Sequence, residues 1–431
     1  MRPEPVIILS YFFPPCNLTP SERIYSWAKY LKNGNYYPII ITRNWDRPVR
    51  NSTTDVFQSS GSEVVVKKYT DYEVHYLPYR ANWKDKLFLR TVGGPWYPLY
   101  LAAAFVFNFM KYNWLRINPT YSFVAYTRKI IQQFPGCRKM VVTGGPFELF
   151  GYAYEISKKE KIFWLADYRD DWTTTDLISK HPFKLFLNKL EQPFEQKWLK
   201  RCEAFTTVSS FYNDKISQFI KKPGLVMTNG YLPENYQKSY PLNEEFTITY
   251  VGSIYASQPI ERFLQAAKTF IIQNPGCRFR VNFIGIKDEA PILQRIINQI
   301  GGVESHFHFT SRIPKQEAIE IQSRSHLLLV CAHQNLKGIP GSKLYEYIAL
   351  KKPVLIFPGD GDIIDNTLRE TGQGIQCESE QDFLNLMQDL YPRVMQTGEL
   401  PQLGINQEAI QNYSRQTQTE KLIQLLDTLG T

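Results

Sequence analysis

The stretch Gly338–Leu350 reads GIPGSKLYEYIAL and lies between two apolar runs that are typical of buried strands, 326–332 (HLLLVCA) and 353–357 (PVLIF). Within it, Gly341 and Ser342 predict the start of a helix, because glycine gives the backbone freedom before a helix and serine is a good N-cap. The first turn of such a helix carries unpaired N–H groups and the positive end of the helix dipole. The stretch therefore predicts a place where an anion can bind.

Two charged side chains accompany this helix start. Lys343 and Glu346 are three residues apart, so both project from one face of the helix. A cation near an anion site, with a carboxylate one turn further on, suits a ligand that has phosphate at one end and vicinal hydroxyls at the other. A nucleotide sugar is such a molecule. An ordinary amphipathic helix with two solvated charges is the alternative.

Two successive α/β series predict two domains. A chain of 431 residues is too long for one ordinary core. The first series, residues 1–230, opens with a strand–helix–strand pattern that has no GxGxxG, so a dinucleotide cofactor is unsupported. Residues 231–245 resemble a linker, and 246–431 form the second series. The sequence thus predicts two Rossmann-like domains, and it leaves open whether the last helix, within 407–428, packs back on the first.

Charge is distributed unevenly between these halves. Residues 1–230 hold 32 Lys and Arg against 19 Asp and Glu, whereas residues 231–431 hold 18 against 22. The basic half favours an anionic partner, for which lipid head groups fit better than nucleic acid because no RGG, RNP-like or zinc-finger pattern occurs. A merely solvated basic surface is the alternative.

An uncharged aromatic segment stands out in the basic half. Residues 95–110 read PWYPLYLAAAFVFNFM. This run is shorter than the roughly 20 residues that cross a bilayer. It predicts either a buried core helix or a helix lying in a membrane interface, with Trp96, Tyr97, Tyr100 and Trp114 at head-group level.

Cysteine and acid patterns bear on location and metals. The six cysteines form no CxxC pair, and we interpret them as reduced thiols of a cytoplasmic protein, with peripheral attachment to the inner face of the plasma membrane left open. Asp360 and Asp362 form a DxD tripeptide after a strand, which we interpret as a helix N-cap region rather than a metal site. We therefore expect no essential metal.

The first half has its own candidate site. Gly144 and Gly145 follow a strand and precede a helix, a position where a loop approaches ligands closely. The sequence DYRDDW, 167–172, follows the next strand. Asp170 is placed to orient or deprotonate an acceptor hydroxyl, and Arg169 to hold Asp170 ionised or to contact phosphate. A structural Arg–Asp pair that closes a loop is the alternative.

Taken together, the motifs SYFFPP, TGGPF, DYRDDW, FTTVSS, YVGSIY and PGSKLYEYIALKKPVL resemble those of the GT-B glycosyltransferases of retaining family 4, in the bacterial surface-polysaccharide subgroup. The resemblance covers nearly the whole chain. It implies two facing Rossmann-like domains with a cleft between them. The second would bind a nucleoside-diphosphate sugar, UDP- or GDP-linked, and the first a glycan or lipid-linked glycan acceptor. It implies no further cofactor.

The resemblance also assigns residues. Glu346 matches the second glutamate of the family's E-x7-E motif, which holds the ribose hydroxyls, and Lys343 stands where the subgroup has a lysine near the diphosphate. Lys343 thus joins Asp170 and Arg169 as a catalytic candidate. The remaining donor-binding candidates are loop and helix-start residues: Gly252, Ser253, Arg312, Gly341, Ser342, Gly144 and Gly145.

The sequence departs from the family pattern at two points. Gly338, or Lys337 if the loop is one residue longer, replaces the first glutamate of the motif. Ser253 and Gln258 stand roughly where many relatives place an Arg and a Lys. These departures leave two alternatives open, a sugar-nucleotide epimerase of GT-B-like fold and a catalytically degenerate scaffold subunit.

Overall fold

The computed structural model describes residues 3–49, 53–175 and 182–430. These form two compact units, Met1–Thr228 with Gln416–Thr431, and Asn229–Arg415. The residues expected to form a linker, 231–245, lie inside the second unit, where Tyr231 Oη donates a hydrogen bond to the carbonyl of Ile410 (3.3 Å). They are therefore part of a packed body.

The first unit contains an eight-stranded sheet in the order β3-β4-β2-β1-β5-β6-β7-β8, in which only β3 runs antiparallel to its neighbour. Apolar runs such as Val6–Leu9 in β1 are fully buried, as expected for strands covered on both faces. Its strands are β1 Glu4–Leu9, β2 Tyr36–Arg43, β3 Val65–Lys68, β4 Glu73–Leu77, β5 Lys139–Thr143, β6 Phe163–Tyr168, β7 Ala204–Thr207 and β8 Gly224–Val226. Its helices before the second unit are α1 Thr19–Tyr30, α2 Trp83–Thr91, α3 Tyr97–Lys111, α4 Ser122–Gln133, α5 Glu148–Lys159, α6 Pro182–Leu199 and α7 Ser210–Ile220.

The second unit is a six-stranded parallel sheet in the order β11-β10-β9-β12-β13-β14. Alternate residues of its strands enter two hydrophobic clusters, so both faces of the sheet are covered. Its strands are β9 Phe246–Val251, β10 Phe279–Ile284, β11 Phe307–Thr310, β12 Leu327–Val330, β13 Val354–Ile356 and β14 Gly374–Gln376. Its helices are α8 Ile260–Gln273, α9 Ala290–Ile300, α10 Lys315–Arg324, α11 Ser342–Ala349, α12 Ile363–Thr371, α13 Glu380–Thr397 and α14 Gln407–Asn412.

The last helix, α15 (Arg415–Asp427), packs into the first unit. Leu422 and Leu426 are fully buried in the same cluster as Trp27 of α1, and Tyr36 Oη donates a hydrogen bond to Asp427 (2.7 Å). The chain thus returns to its first sheet after completing the second, which is the arrangement that the sequence left open.

The aromatic helix differs from one expectation. In α3 only Phe107 is buried, whereas Leu99 and Phe109 are more than half exposed, so it is not a core helix. Within residues 3–49, 53–175 and 182–430, no helix has both the length and the apolar content that crossing a bilayer requires.

A buried ion pair links α1 to the sheet of the first unit. Arg23 of α1 donates to Asp167 at the end of β6 (Nη2–Oδ1 2.7 Å), and both side chains are almost fully buried. Arg23 also donates to the carbonyl of Met227 (2.9 Å), and Thr206 donates to Asp167 (2.7 Å). The pair therefore joins a helix to three strand ends.

Asp167→Asn tests that role. The substitution leaves the Arg23 guanidinium buried without its counter-ion, which should destabilise the first unit by about 3–5 kcal/mol. Asp170→Asn is the matched control, since Asp170 is two-thirds exposed and should cost less than about 1 kcal/mol. Urea unfolding followed by circular dichroism measures both. Equal small effects would contradict the structural role of the pair.

Candidate functional site

The strand order of the second unit reverses between β9 and β12, which are neighbours in the sheet. In open parallel sheets the loops leave these two strands in opposite directions and open a crevice at their carboxyl ends, where ligands bind. The loop after β9 begins with Gly252, and the helix that follows β12 is α11. The stretch singled out in the sequence therefore occupies the expected ligand position of a Rossmann-like sheet.

A hydrogen bond holds α11 beside β9, and a glycine lets the loop after β9 pass close to the helix. Tyr347 of α11 is buried, and its hydroxyl accepts a hydrogen bond from the backbone N–H of Val251 (3.0 Å). Gly252 has φ +102°, a conformation that favours glycine, and a Cβ there would lie 3.5 Å from Cε of Lys343. The first turn of α11 and the loop after β9 therefore lie side by side.

Glu346 is the centre of the charged group at this position. It is only 8% exposed, and its two carboxylate oxygens each lie 3.4 Å from an ammonium group, Oε2 from Lys343 and Oε1 from Lys315. Burial opposes ionisation of Glu346, but the two lysines outweigh it and hold the pKa of Glu346 below its usual value. The carboxylate is thus charged and available as a hydrogen-bond acceptor.

Lys315 is a site residue that is not among the candidates predicted from the sequence. It is the first residue of α10 and follows the end of β11 by five positions. The sequence does place Lys315 shortly after a predicted strand, and therefore near the carboxyl edge of the sheet where the other site residues lie. Arg312, the candidate predicted from the sequence in this region, is exposed to solvent.

The start of α11 differs in detail from the prediction. The helix begins at Ser342, so Gly341 and not Ser342 occupies the N-cap position. Gly341 has φ −59°, and a Cβ there would meet nothing within 4 Å, so this position does not require glycine. The N–H groups of the first turn still face the helix start, as at any helix N-terminus.

The Ser253 hydroxyl already makes a hydrogen bond within the second unit. Its hydroxyl donates to Glu289 Oε1 (2.6 Å), and its carbonyl accepts from Tyr250 Oη (3.0 Å). The Ser253 hydroxyl therefore fixes the loop after β9 against the start of α9. A phosphate contact through this hydroxyl proton would require breaking that bond.

The loop that lacks the first glutamate is held by the DxD tripeptide. Gly338, with φ +76°, donates its N–H to Asp362 Oδ2 (2.7 Å), and Asp360 accepts the N–H groups of Asp362 (2.8 Å) and Ile364 (3.1 Å). Both carboxylates thus bind backbone N–H groups around the start of α12. Lys337, the other candidate for the first-glutamate position, is exposed.

A histidine beside this loop is likewise not among the candidates predicted from the sequence. His333 follows β12, and its Nδ1 lies 2.7 Å from Ser257 Oγ of the loop after β9. Burial lowers the pKa of His333, although Asp360 opposes the shift, so the ring is neutral at pH 7. A neutral imidazole at the carboxyl edge can donate or accept a hydrogen bond from a hydroxyl-rich ligand.

The first unit brings three loops together at its own carboxyl edge, where the strand order reverses between β1 and β5. Gly145 has φ +70°, and a Cβ there would lie 3.4 Å from Arg169 Nη2. The Arg169 guanidinium also lies 5.9 Å from the ring centre of Phe12, which follows β1. Gly144 is different, because a Cβ there would collide with the rings of Phe147 and Phe150, so packing explains this glycine.

Arg169 and Asp170 form an ion pair at this edge. Arg169 Nε donates to Asp170 Oδ2 (2.9 Å), while the Asp170 side chain remains 66% exposed and Arg169 21%. The pair matches the alternative given above, a structural Arg–Asp pair that closes a loop. The Asp170 carboxylate is nevertheless exposed, so a hydroxyl group can still reach it.

A buried acid lies beneath the DYRDDW loop. Glu195 of α6 accepts hydrogen bonds from Tyr168 Oη (2.8 Å) and the N–H of Thr173 (3.1 Å). These donors favour its charged form, but burial is stronger and raises the pKa of Glu195 to about 7. The loop that carries Arg169 and Asp170 is therefore supported by a carboxyl group that titrates near neutral pH.

No family model matches the chain, and no curated protein matches its sequence. Solved structures do match over its whole length. Sucrose-phosphate synthase from Thermosynechococcus elongatus is 13% identical with a TM-score of 0.64, covering 99% of each chain. A solved structure described as trehalose-6-phosphate from E. coli bound with UDP-2-fluoro glucose is 11% identical to this chain, with a TM-score of 0.60 and the same coverage. Trehalose-6-phosphate synthase, in a study of glycosyltransfer with retention, is 11% identical with a TM-score of 0.59, covering 98% and 99%.

The chain has the GT-B fold. Its two Rossmann-like units and these full-length matches confirm the fold class expected from the sequence. At such low identity the likeness concerns the fold alone, so the roles of the site residues depend on their own geometry.

The Glu195 carboxyl group predicts a pH dependence of stability. Its pKa is about 7 in the folded state against 4.5 in its ordinary state, so folding favours the protonated form. The contribution of Glu195 to the free energy of unfolding is therefore complete below pH 4.5. It is lost as pH rises to about 7, by up to about 3 kcal/mol. Relative to Glu195→Gln, which cannot ionise, the free energy of unfolding of the unsubstituted protein should fall between pH 4.5 and 8. Parallel pH profiles of the two proteins in urea unfolding would refute this.

Proposed function

We propose that the protein is a retaining glycosyltransferase that uses a nucleoside-diphosphate sugar, UDP- or GDP-linked, as donor. The observation that carries the proposal is the charge arrangement around Glu346, an ionised and nearly buried carboxylate between Lys343 and Lys315 at the switch point of a Rossmann-like sheet. The GT-B fold and the motif resemblance support it. A structural neighbour bound with UDP-2-fluoro glucose has the same fold.

Glu346 suits the ribose of such a donor. A carboxylate accepts hydrogen bonds from two vicinal hydroxyls at once, and these charge-assisted bonds are stronger than neutral ones. Because Glu346 is already desolvated and charged, it needs no proton release before binding. The buried position also keeps competing water away from the carboxylate.

The two lysines suit the diphosphate. As the glycosidic bond breaks, negative charge grows on the leaving diphosphate, and fixed cations lower the energy of that state. Lys343 is 40% exposed and lies at the first turn of α11, where the helix dipole adds to its charge. Lys315 adds a second ammonium group from α10. Both can exchange a 3.4 Å contact with Glu346 for a phosphate oxygen.

The first unit is proposed to contact the acceptor, a glycan or lipid-linked glycan of surface polysaccharide assembly. The motif resemblance supports this assignment. Asp170, exposed and paired with Arg169, is the group proposed to orient the acceptor hydroxyl. The first glutamate of the E-x7-E motif has no carboxylate counterpart at Lys337 or Gly338, so the transferred sugar would depend on other contacts. His333, which follows β12 and lies beside the loop after β9, is one candidate for such a contact.

Calorimetry with UDP and GDP sugars tests the donor site. Glu346→Gln keeps the size of the side chain but removes its charge, and should weaken binding of the preferred nucleotide sugar 10-fold or more. Glu317→Gln, an exposed carboxylate on α10, is the matched control and should bind like the unsubstituted protein. Absence of binding to any nucleotide sugar would favour the scaffold alternative.

Lys315→Met tests the residue that only the structure identified. Removing its charge should raise KM for the donor, lower kcat/KM 10-fold or more, and raise the pKa of Glu346. Arg312→Met, at the candidate position chosen from the sequence, should change kcat/KM less than threefold. A larger effect of Arg312→Met than of Lys315→Met would mean that Arg312, and not Lys315, contacts the donor. Product formation is measured by release of nucleoside diphosphate with an acceptor mixture.

A further inference from the structure

The outward face of α3 is an apolar stripe. Leu99, Ala102, Val106 and Phe109 recur at intervals of three and four residues, so they lie on one side of the helix. Leu99 is 56% exposed, Val106 48% and Phe109 54%, and Ala102 is also exposed. We call these four residues the outer stripe. A surface helix of a globular protein normally turns such a stripe inward, so its orientation needs a cause.

Poor packing of α3 is not that cause, because its other face is anchored. Phe107 is 3% exposed and makes an edge-on contact with the Trp83 ring (5.9 Å between centres), and Lys84 Nζ lies 4.9 Å from the Phe107 ring. Tyr100 packs against Phe88 at 4.9 Å. The helix therefore has a packed inner face and an apolar outer face.

Two tryptophans mark the ends of the helix. Trp96 precedes α3 and is 71% exposed, and Trp114 follows it and is 60% exposed. A helix of 15 residues is about 22 Å long, which is shorter than the roughly 30 Å hydrocarbon core of a bilayer. Exposed tryptophans of this kind favour the boundary between lipid and water. The dimensions suit a helix that lies along a membrane surface.

The charged residues near the outer stripe indicate the charge of the surface that would bind it. Residues 86–116, which run from α2 to just beyond α3, contain no Asp or Glu and four Lys or Arg. Lys86 and Arg90 of α2 and Arg116 after α3 are exposed. An anionic surface would complement this region. A second copy of the chain would instead bring cations against cations, which disfavours pairing through the same patch.

We propose that the outer stripe docks the protein flat on an anionic lipid bilayer. Leu99, Val106 and Phe109 would enter the acyl boundary, Trp96 and Trp114 would lie at head-group level, and the flanking cations would contact lipid phosphates. The outer stripe belongs to the first unit, whereas Glu346 belongs to the second. The test of the outer stripe needs no substrate, so its failure would not bear on the proposed glycosyl transfer.

Flotation with vesicles tests the proposal. Phosphatidylcholine vesicles, with and without about one-third phosphatidylglycerol, are mixed with the unsubstituted protein, and the bound fraction is measured at low and at physiological salt. The triple variant Leu99→Ser, Val106→Ser, Phe109→Ser should lose binding to the anionic vesicles 10-fold or more. A matched control, Val66→Ser, Ile272→Ser, Ile297→Ser, removes exposed aliphatic residues elsewhere and should bind normally.

Four results would overturn the proposal. These are failure of the unsubstituted protein to bind anionic vesicles, equal binding to neutral and anionic vesicles, equal binding by the triple variant, and a concentration-dependent dimer in light scattering that the triple variant abolishes. The last would make the stripe an interface between copies of the chain. Circular dichroism confirms that each variant is folded, and Phe109→Ser alone replaces the triple variant if that one unfolds.

Discussion

The candidate donor site depends on one electrostatic balance, a carboxylate that stays ionised although it is almost wholly removed from water. Burial alone would drive Glu346 towards its neutral form, and a neutral acid at this position would be a poor acceptor for hydroxyl groups. Lys343 comes from the same helix and Lys315 from the helix before β12, so two different segments supply the compensating charge. The balance therefore exists only when the second sheet is assembled.

The fold places this group without help from a glycine-rich phosphate loop. β9 and β12 pair in parallel where the strand order reverses, and the Tyr347 hydroxyl accepts a hydrogen bond from the Val251 N–H, which holds α11 beside β9. Gly252 then lets the loop after β9 turn beside Lys343. A Rossmann-like sheet thus presents a cation, an acid and a helix start together, which is an arrangement suited to a ligand with both phosphate and sugar.

Local patterns sufficed for much of this arrangement. Apolar runs indicated the parallel strands, and the three-residue spacing placed Lys343 and Glu346 on one helix face. Lys315 could not be found that way, because its contact with Glu346 joins residues 31 positions apart through the order of the strands. The outward face of α3 was equally hidden, since an apolar helix pattern does not reveal whether its apolar side faces the core or the solvent. The ion pair of Arg23 with Asp167 likewise appeared only with the fold.

A crystal structure of the protein soaked with UDP or GDP would show whether Glu346 and the two lysines hold a nucleotide. We expect both ribose hydroxyls within hydrogen-bond distance of the Glu346 carboxylate, and the diphosphate in contact with Lys343 and Lys315 at the start of α11. A nucleotide bound elsewhere would contradict this expectation. So would a nucleotide in the crevice that leaves Glu346 in contact with the two lysines alone.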